Sequence, residues 1–404
     1  MNYISNVWKL YALRFFHGLI PAYVIERLFW EQRGMTVQMV VYTEIIYALT
    51  VVVLEIPTGV MADRWGRKGM LRITAFLSCC EFFILANATS FVHFAAAVFL
   101  SGIGHSAGSG SESALLYDSL LTAKKEKDFE KHLGRMNVFD YTAIIIASLS
   151  GSLLAAHFGF DLNYQLSVIS SVIALLISFT LKEPVVRSEA DRPKKMKDYI
   201  SISFGFFKNN PSVCLVLLAG MVTGAVMNFP DEFWQLYLER LNIPVNCFGL
   251  FLTLYLIARL PGNILVTTLK SRFGYRALLT AVIFILAAGF LCLSAANDYM
   301  SLVILVLIAL VSGVIEPLVS GYLHHRIDSS VRATLDSFQS LGMKGAVILT
   351  GLGFGFVSSR FDVFGGSAFL ALICICFLIF FRIYSKRIEE TGNMTYSSQN
   401  DKVG

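Results

Sequence analysis

The chain has little charge: Asp, Glu, Lys and Arg make up 15% of its 404 residues, against about 25% in an ordinary soluble domain. With a hydrophobic share of 55%, this excludes a disordered chain and argues against a soluble one. There is no G-x-x-x-x-G-K-[ST], so no P-loop for ATP is expected, and no H-E-x-x-H or similar spacing that would mark a metal site among the histidines. The seven cysteines, Cys79, Cys80, Cys214, Cys247, Cys292, Cys374 and Cys376, lie in or beside apolar runs, without the loop placement of a disulfide framework. Core packing is expected of them. No nucleophile, base and oxyanion constellation stands out, so neither an enzyme nor a cofactor is expected. The N-terminal run lacks the small-residue cleavage site of a signal peptide and is expected to persist as a helix.

What the chain has instead is long apolar runs. A bilayer-spanning helix takes about 20 mostly apolar residues. Such stretches cover 8–29, 38–60, 70–88, 91–120, 136–156 and 163–181, then 212–237, 246–268, 277–296, 300–323, 336–357 and 365–385. The expected fold is an all-α membrane protein of twelve transmembrane helices in two pseudo-symmetric six-helix bundles, 1–181 and 212–387. A polar linker, 182–211, joins them, and a tail follows at 388–404. Basic residues cluster on alternate connections, among them Arg64, Arg67, Lys68, Lys124, Lys125, Lys194, Lys195, Arg272 and Arg276. That asymmetry predicts that both termini are cytoplasmic.

The halves echo each other. Glu55-Ile-Pro57 has a counterpart in Arg259-Leu-Pro261, and Asp63-Arg-Trp-Gly-Arg-Lys68 has one in Ser271-Arg-Phe-Gly-Tyr-Arg276. Glu112 and Glu316 fall at a similar separation. Internal repeats of this kind are the architecture of secondary transporters, which bind substrate near the midplane between the repeats.

Ionisable residues inside spans are functional candidates, because an unpaired charge there costs at least ~2.5 kcal/mol. They are Arg14, Glu44, Glu55, Glu81, Glu112, Asp140, Arg259, Glu316 and Lys344, with Asp231 and Glu232 near one end of the seventh span. A carboxylate withdrawn into a cavity can load and release a proton; Glu112 is the first choice for that role and Glu316 the second. The alternative is that either one pairs with Arg14 or a lysine of the eleventh span to help packing. Phe15, Phe16, Tyr23, Tyr117, Phe229, Phe233, Trp234 and Tyr255 could wall a site for a flat apolar guest, or serve packing and lipid contact.

The most specific segment is Gly59-Val-Met-Ala-Asp63-Arg64-Trp-Gly66-Arg67-Lys68-Gly-Met-Leu71. Its glycines permit a tight reversal, Asp63 can accept from orphan amides at a helix N-terminus, and its arginines can hold a carboxylate bidentately. It resembles the signature loop of the major facilitator superfamily, G-x-L-A-D-R-x-G-R-K-x-x-L, with Met61 in place of Leu. The resemblance implies a uniporter, symporter or antiporter working by alternating access, in which this loop braces the cytoplasmic side and Asp118 completes a charge relay. The alternative is a plain positive-inside loop.

In that family, helices 1, 4, 7 and 10 line the cavity, which implies cavity roles for Arg14, His105, Glu112, Asp231, Glu232, Phe233, Trp234 and Glu316. Helices 2, 5, 8 and 11 form the contact between halves, which implies the pairs Glu55 with Lys344 and Asp140 with Arg259. Lys344 could instead face the cavity and meet Glu316 or an anionic substrate. The chain departs from the family's drug/proton antiporters at Val98, where they carry an arginine, and in a fifth helix that is not rich in Gly and Pro. The stretch from Gly108 to Asp118 and Phe233-Trp234-Gln235 resemble a bacterial branch of efflux proteins.

The leading expectation is proton-coupled efflux of small amphipathic or drug-like compounds. One alternative is a proton-coupled uptake symporter for a small metabolite; another is a non-transporting membrane sensor or assembly partner. Polarity of the cavity separates the first two. Expected partners are a small-molecule substrate, protons and membrane lipids, with the basic loops meeting anionic headgroups and not nucleic acid. The expected unit is a monomer in a bacterial cytoplasmic membrane.

Overall fold

A computed structural model of the chain describes residues 4–184, 210–296, 298–324 and 329–400. Side chains at 56, 60, 63, 64, 267, 323–338 and 387–400 lie outside the description, as do most of the expected linker and the last residues of the tail. Every regular element among the described residues is helical.

The first expected span is broken. Helix α1, Ser5–Gly18, ends before a 3-10 turn at Pro21–Val24, and α2, Glu26–Gln32, follows. Pro21 has no amide hydrogen to continue the ladder, and its ring crowds the preceding turn. Helix α3, Val37–Trp65, starts on Thr36, whose hydroxyl accepts from the Met39 amide at 3.2 Å and so satisfies one orphan donor. Within α3, next to Pro57, the Thr58 hydroxyl is bonded to the carbonyls of Leu54 at 2.7 Å and Ser106 at 2.9 Å. Helices α4, Arg67–Ala86, α5, Phe91–Gly108, α6, Ser111–Thr122, α7, Phe129–Phe158, and α8, Phe160–Thr180, complete the first half.

The second half holds α9, Pro211–Arg240, α10, Phe248–Ala295, α11, Met300–Ser312, α12, Ile315–His324, and α13, Ser329–Asn400. Helix α10 kinks at Gly274, and α13 turns at Phe361 and Asp362. The expected spans 336–357 and 365–385 lie on either side of that turn, inside one apolar segment. Ten segments among the described residues are long and apolar enough to cross a bilayer. Twelve is the count expected from sequence; the break in the first span and the continuity of α13 account for the difference.

The chain divides into two compact units. The first takes the described residues up to 184 together with Leu238–Thr253, and the second takes 210–237 and the described residues from Leu254 onward. Residues 238–253, placed by sequence in the second bundle, group with the first unit. There Arg240 Nη2 meets Glu31 Oε1 at 2.5 Å, and Ser152 Oγ donates to the Asn246 carbonyl at 3.4 Å.

In the first unit α4 packs against both α5 and α8, and α1 against α7 and α8. Small residues let the backbones approach: the Thr74 hydroxyl of α4 donates to the Gly104 carbonyl of α5 at 2.9 Å. Phe83, Val92, Leu176, Ile264 and Leu349 stand out from the surface, as suits residues solvated by lipid tails. Helix α9 is the exception, with 67% of its apolar window buried against 33% for α3.

Candidate substrate and proton site

The expected fourth span, 91–120, is interrupted at its centre. Between α5 and α6, Ser109 leaves the helical conformation at ψ 121 and Gly110 takes φ 72 in the left-handed region, which glycine adopts without a Cβ penalty. Glu112 therefore sits in the first turn of a new helix, where the amide dipoles favour an anion. Gly108, Ser109, Gly110 and Glu112 line a cavity of about 340 Å³, together with the polar Arg14, His17, Thr74, His105, Ser113 and Asn137 and the apolar Leu71, Leu133 and Met136.

Arg14 organises this cavity. Its Nη1 lies 2.5 Å from Glu112 Oε2, and its Nε lies 3.5 Å from Asp140 Oδ2. One cation thus stands between two carboxylates from different helices. Gly18 makes the approach possible: a Cβ there would be 2.8 Å from Asp140 Oδ1. Of the expected cavity residues, Arg14, His105 and Glu112 come together here. Asp140, expected to pair with Arg259, has its cation inside its own unit.

The signature loop is the junction between α3 and α4. Gly66, at φ 84 and ψ 153, occupies a region essentially closed to other residues. Glu183, just past α8, accepts from the amides of Arg67 at 2.8 Å and Lys68 at 2.7 Å. A Cβ at Gly66 would stand 2.8 Å from that carboxylate. The anion on the start of α4 is thus Glu183; the side chains of Asp63 and Arg64, the sequence's choices for this loop, lie outside the described residues. Gly59 is exposed on α3, and Arg67 and Lys68 are half-buried. Asp118, near the end of α6, has Arg67 and Glu183 as the charges acting on it.

In the second unit Asp231 takes the corresponding role of a bonded carboxylate. It accepts from the Tyr255 hydroxyl at 2.7 Å and from Arg259 Nη2, and the Arg259 guanidinium lies 5.0 Å over the Tyr255 ring. Arg259, expected to reach Asp140, is held by Asp231 because α9 and α10 bring the two side chains together within one unit. Phe233 and Trp234, expected as cavity walls, are buried, and Phe233 packs on Phe354 at 5.3 Å between centroids. Glu232 is half-buried, Glu316 is exposed in the first turn of α12, Glu55 is half-buried on α3 and Lys344 half-buried on α13.

Residues 7–234, more than half of the chain, match the Major Facilitator Superfamily. The chain belongs to that superfamily. Residues 151–397 also match the family described as sugar (and other) transporter. A relative in Bacillus subtilis (strain 168), an uncharacterized MFS-type transporter named YxaM, is 25% identical over 350 residues, 82% of this chain and 83% of its own length. Among solved structures, a point mutant of the nucleoside transporter NupG is similar with a TM-score of 0.80 at 16% identity, covering 94% of this chain and 99% of its own. The D-xylose-proton symporter is similar with a TM-score of 0.66 at 13% identity, covering 94% and 96%. At these identities the likeness shows the fold. The protein is a multi-pass membrane transporter of small molecules, not an enzyme.

Two charged residues of this MFS transporter were not singled out by sequence. Glu183 falls in the expected linker, and its only local signal is its place directly after the sixth apolar run. Arg27, in the break of the first span, is 3% exposed; its Nη2 lies 2.9 Å from Glu44 Oε1 and its guanidinium 4.7 Å from the Trp30 ring. A Glu-Arg pair inside an apolar run was the available sign. Glu44 thereby has an interhelical partner.

Proposed function

We propose that this transporter couples protons to the uptake of a small, polar, hydroxylated metabolite by alternating access. The observation that carries this reading is the lining of the Arg14 cavity, where Arg14, Glu112, two histidines, Asn137 and the hydroxyls of Thr74, Ser109 and Ser113 stand beside Leu71, Leu133 and Met136, and no phenylalanine or tryptophan takes part. A flat amphipathic guest needs an aromatic wall. Phe229 and Phe233 pack instead on Phe354, and the Tyr255 hydroxyl is bonded to Asp231. The nucleoside and D-xylose transporters of the same fold carry hydroxylated substrates, which supports the reading.

The coupling follows from charge. With both carboxylates ionised, Arg14, Glu112 and Asp140 sum to one negative charge; a single proton makes the group neutral. Crossing a low-dielectric barrier favours the neutral group. Substrate hydroxyls would then compete for the Arg14 guanidinium, so that proton and substrate load together. Glu316 is the second proton candidate. The loop at Gly59, Asp63, Arg64, Gly66, Arg67 and Lys68, with Asp118, braces the cytoplasmic side, and Glu55 with Lys344 clamps the halves. The protein works as a monomer in a bacterial cytoplasmic membrane, with both termini in the cytoplasm.

The test is uptake into proteoliposomes under an imposed pH gradient, with labelled nucleosides, pentoses, hexoses and a cationic dye. Accumulation of a nucleoside or sugar with the acid side outside, abolished by a protonophore, is the expected result. Dye extrusion driven by the gradient, with no uptake of any polar compound, would restore efflux of amphipathic compounds as the function.

A further inference from the structure

In the first unit the end of α8 closes on the start of α4 through the chain's own carboxylate. Glu183 takes the amides of Arg67 and Lys68, and Arg72 Nη2 donates to the Phe179 carbonyl at 3.2 Å. The second unit repeats this layout with one difference. Gly274, at φ 73, turns the chain as Gly66 does, and Tyr275-Arg276 stands where Arg67-Lys68 stands. At the end of the last apolar stretch, Arg382 and Lys386 have the spacing of Phe179 and Glu183. Where the first half has a carboxylate, the second has a lysine.

A cavity of about 740 Å³ opens at this place, lined by Arg276, Ala277, Thr280, Ala281, Phe284, Leu378, Arg382 and Lys386. No carboxylate is among these residues. The two stripes run in opposite chain directions, so Arg276, just past the kink at Gly274, lies at the Arg382–Lys386 end of the groove, and the cations gather there. Phe284 and Leu378 each lie eight residues from that end, about 12 Å along a helix. Phe284 is 60% exposed. The groove is therefore basic at its mouth and apolar along its length.

We propose that this groove binds the headgroup phosphate of an anionic phospholipid, with an acyl chain lying along Phe284 and Leu378. A guanidinium can hold phosphate oxygens bidentately, and a lysine adds a point charge. Basic pockets at the ends of transmembrane helices are suited to anionic headgroups. A free phosphate would meet the same cations but leave the apolar length unused, so the lipid is the occupant that uses both ends. The site belongs to the second unit alone.

The test is native mass spectrometry of the full chain in detergent with phosphatidylglycerol, phosphatidylcholine or inorganic phosphate added. Phosphatidylglycerol is expected to be retained over phosphatidylcholine, and each of Arg276→Gln, Arg382→Gln and Lys386→Gln to weaken its retention about fivefold. A photoactivatable phosphatidylglycerol on the unaltered protein supplies a reading independent of variants, with labelling expected within 276–284 and 378–386. Equal retention of the two lipids, displacement of lipid by inorganic phosphate alone, or labelling only elsewhere would overturn the assignment.

Discussion

Arg14 holds Glu112 at 2.5 Å across the break in the fourth span, with Asp140 on its other side at 3.5 Å. This contact joins α1 to the start of α6, so an ion pair lining the cavity is also a bond between two helices of the first unit. A substrate that draws Arg14 away must leave Glu112 in need of another cation, and a proton meets that need.

Glu112→Gln removes the charge while keeping the shape. Gradient-driven uptake is expected to fall at least about tenfold, the effect of roughly 1.4 kcal/mol, while substrate exchange without a gradient persists. Flux measurements in proteoliposomes check both. Full gradient-driven uptake in the variant would remove Glu112 from the proton path.

Gly18→Ala places a methyl 2.8 Å from Asp140 Oδ1 and should push that carboxylate off Arg14. Uptake is expected to fall and its pH profile to move, with the protein still in the membrane. Gly134→Ala on α7, where nothing lies within 4 Å, serves as the control. Equal behaviour of the two variants would show that Asp140 does not act through Arg14.

Gly66→Ala imposes a glycine-only backbone conformation on alanine, a cost of about 1–3 kcal/mol, and collides with Glu183. Glu183→Gln keeps an acceptor but loses the charge at the helix start, worth about 0.3–1 kcal/mol. Thermal unfolding in detergent should therefore rank the unaltered protein first, Glu183→Gln second and Gly66→Ala last. The reverse order of the two variants would contradict the capping role of Glu183.

Asp231 and Arg259 should behave as a unit. Arg259→Gln alone leaves a half-buried carboxylate with only the Tyr255 hydroxyl, so it is expected to harm stability more than Arg259→Gln combined with Asp231→Asn. A double-mutant cycle on unfolding measures the coupling. Additive effects would mean that the contact carries no energy.

Glu55 and Lys344 are the remaining proposed clamp. Glu55→Lys and Lys344→Glu should each impair transport, and the double swap should recover part of it. No recovery, with a selective loss of substrate affinity in Lys344→Ala, would move Lys344 to the binding site.

The helical class, the membrane setting and the signature loop were legible in the sequence, because long apolar runs, repeated motifs and basic clusters are local or periodic properties of the chain. Arg14, His105 and Glu112 could be named for the same reason: a charge or imidazole inside an apolar run stands out without coordinates. Partners were only partly legible: Arg14 stood as the alternative partner of Glu112, which is the pair the structure shows. Asp140 and Arg259 looked like counterparts by helix number, yet each is held within its own unit, since the choice depends on which side chains α1, α7, α9 and α10 turn toward one another. The break at Gly110, the use of Phe233 for packing and the arrival of Glu183 on the amides after Gly66 were likewise decided by tertiary structure. The last two depend on what stands within a few ångströms in space, and the chain brings those neighbours, Phe354 and Glu183, from more than a hundred residues away.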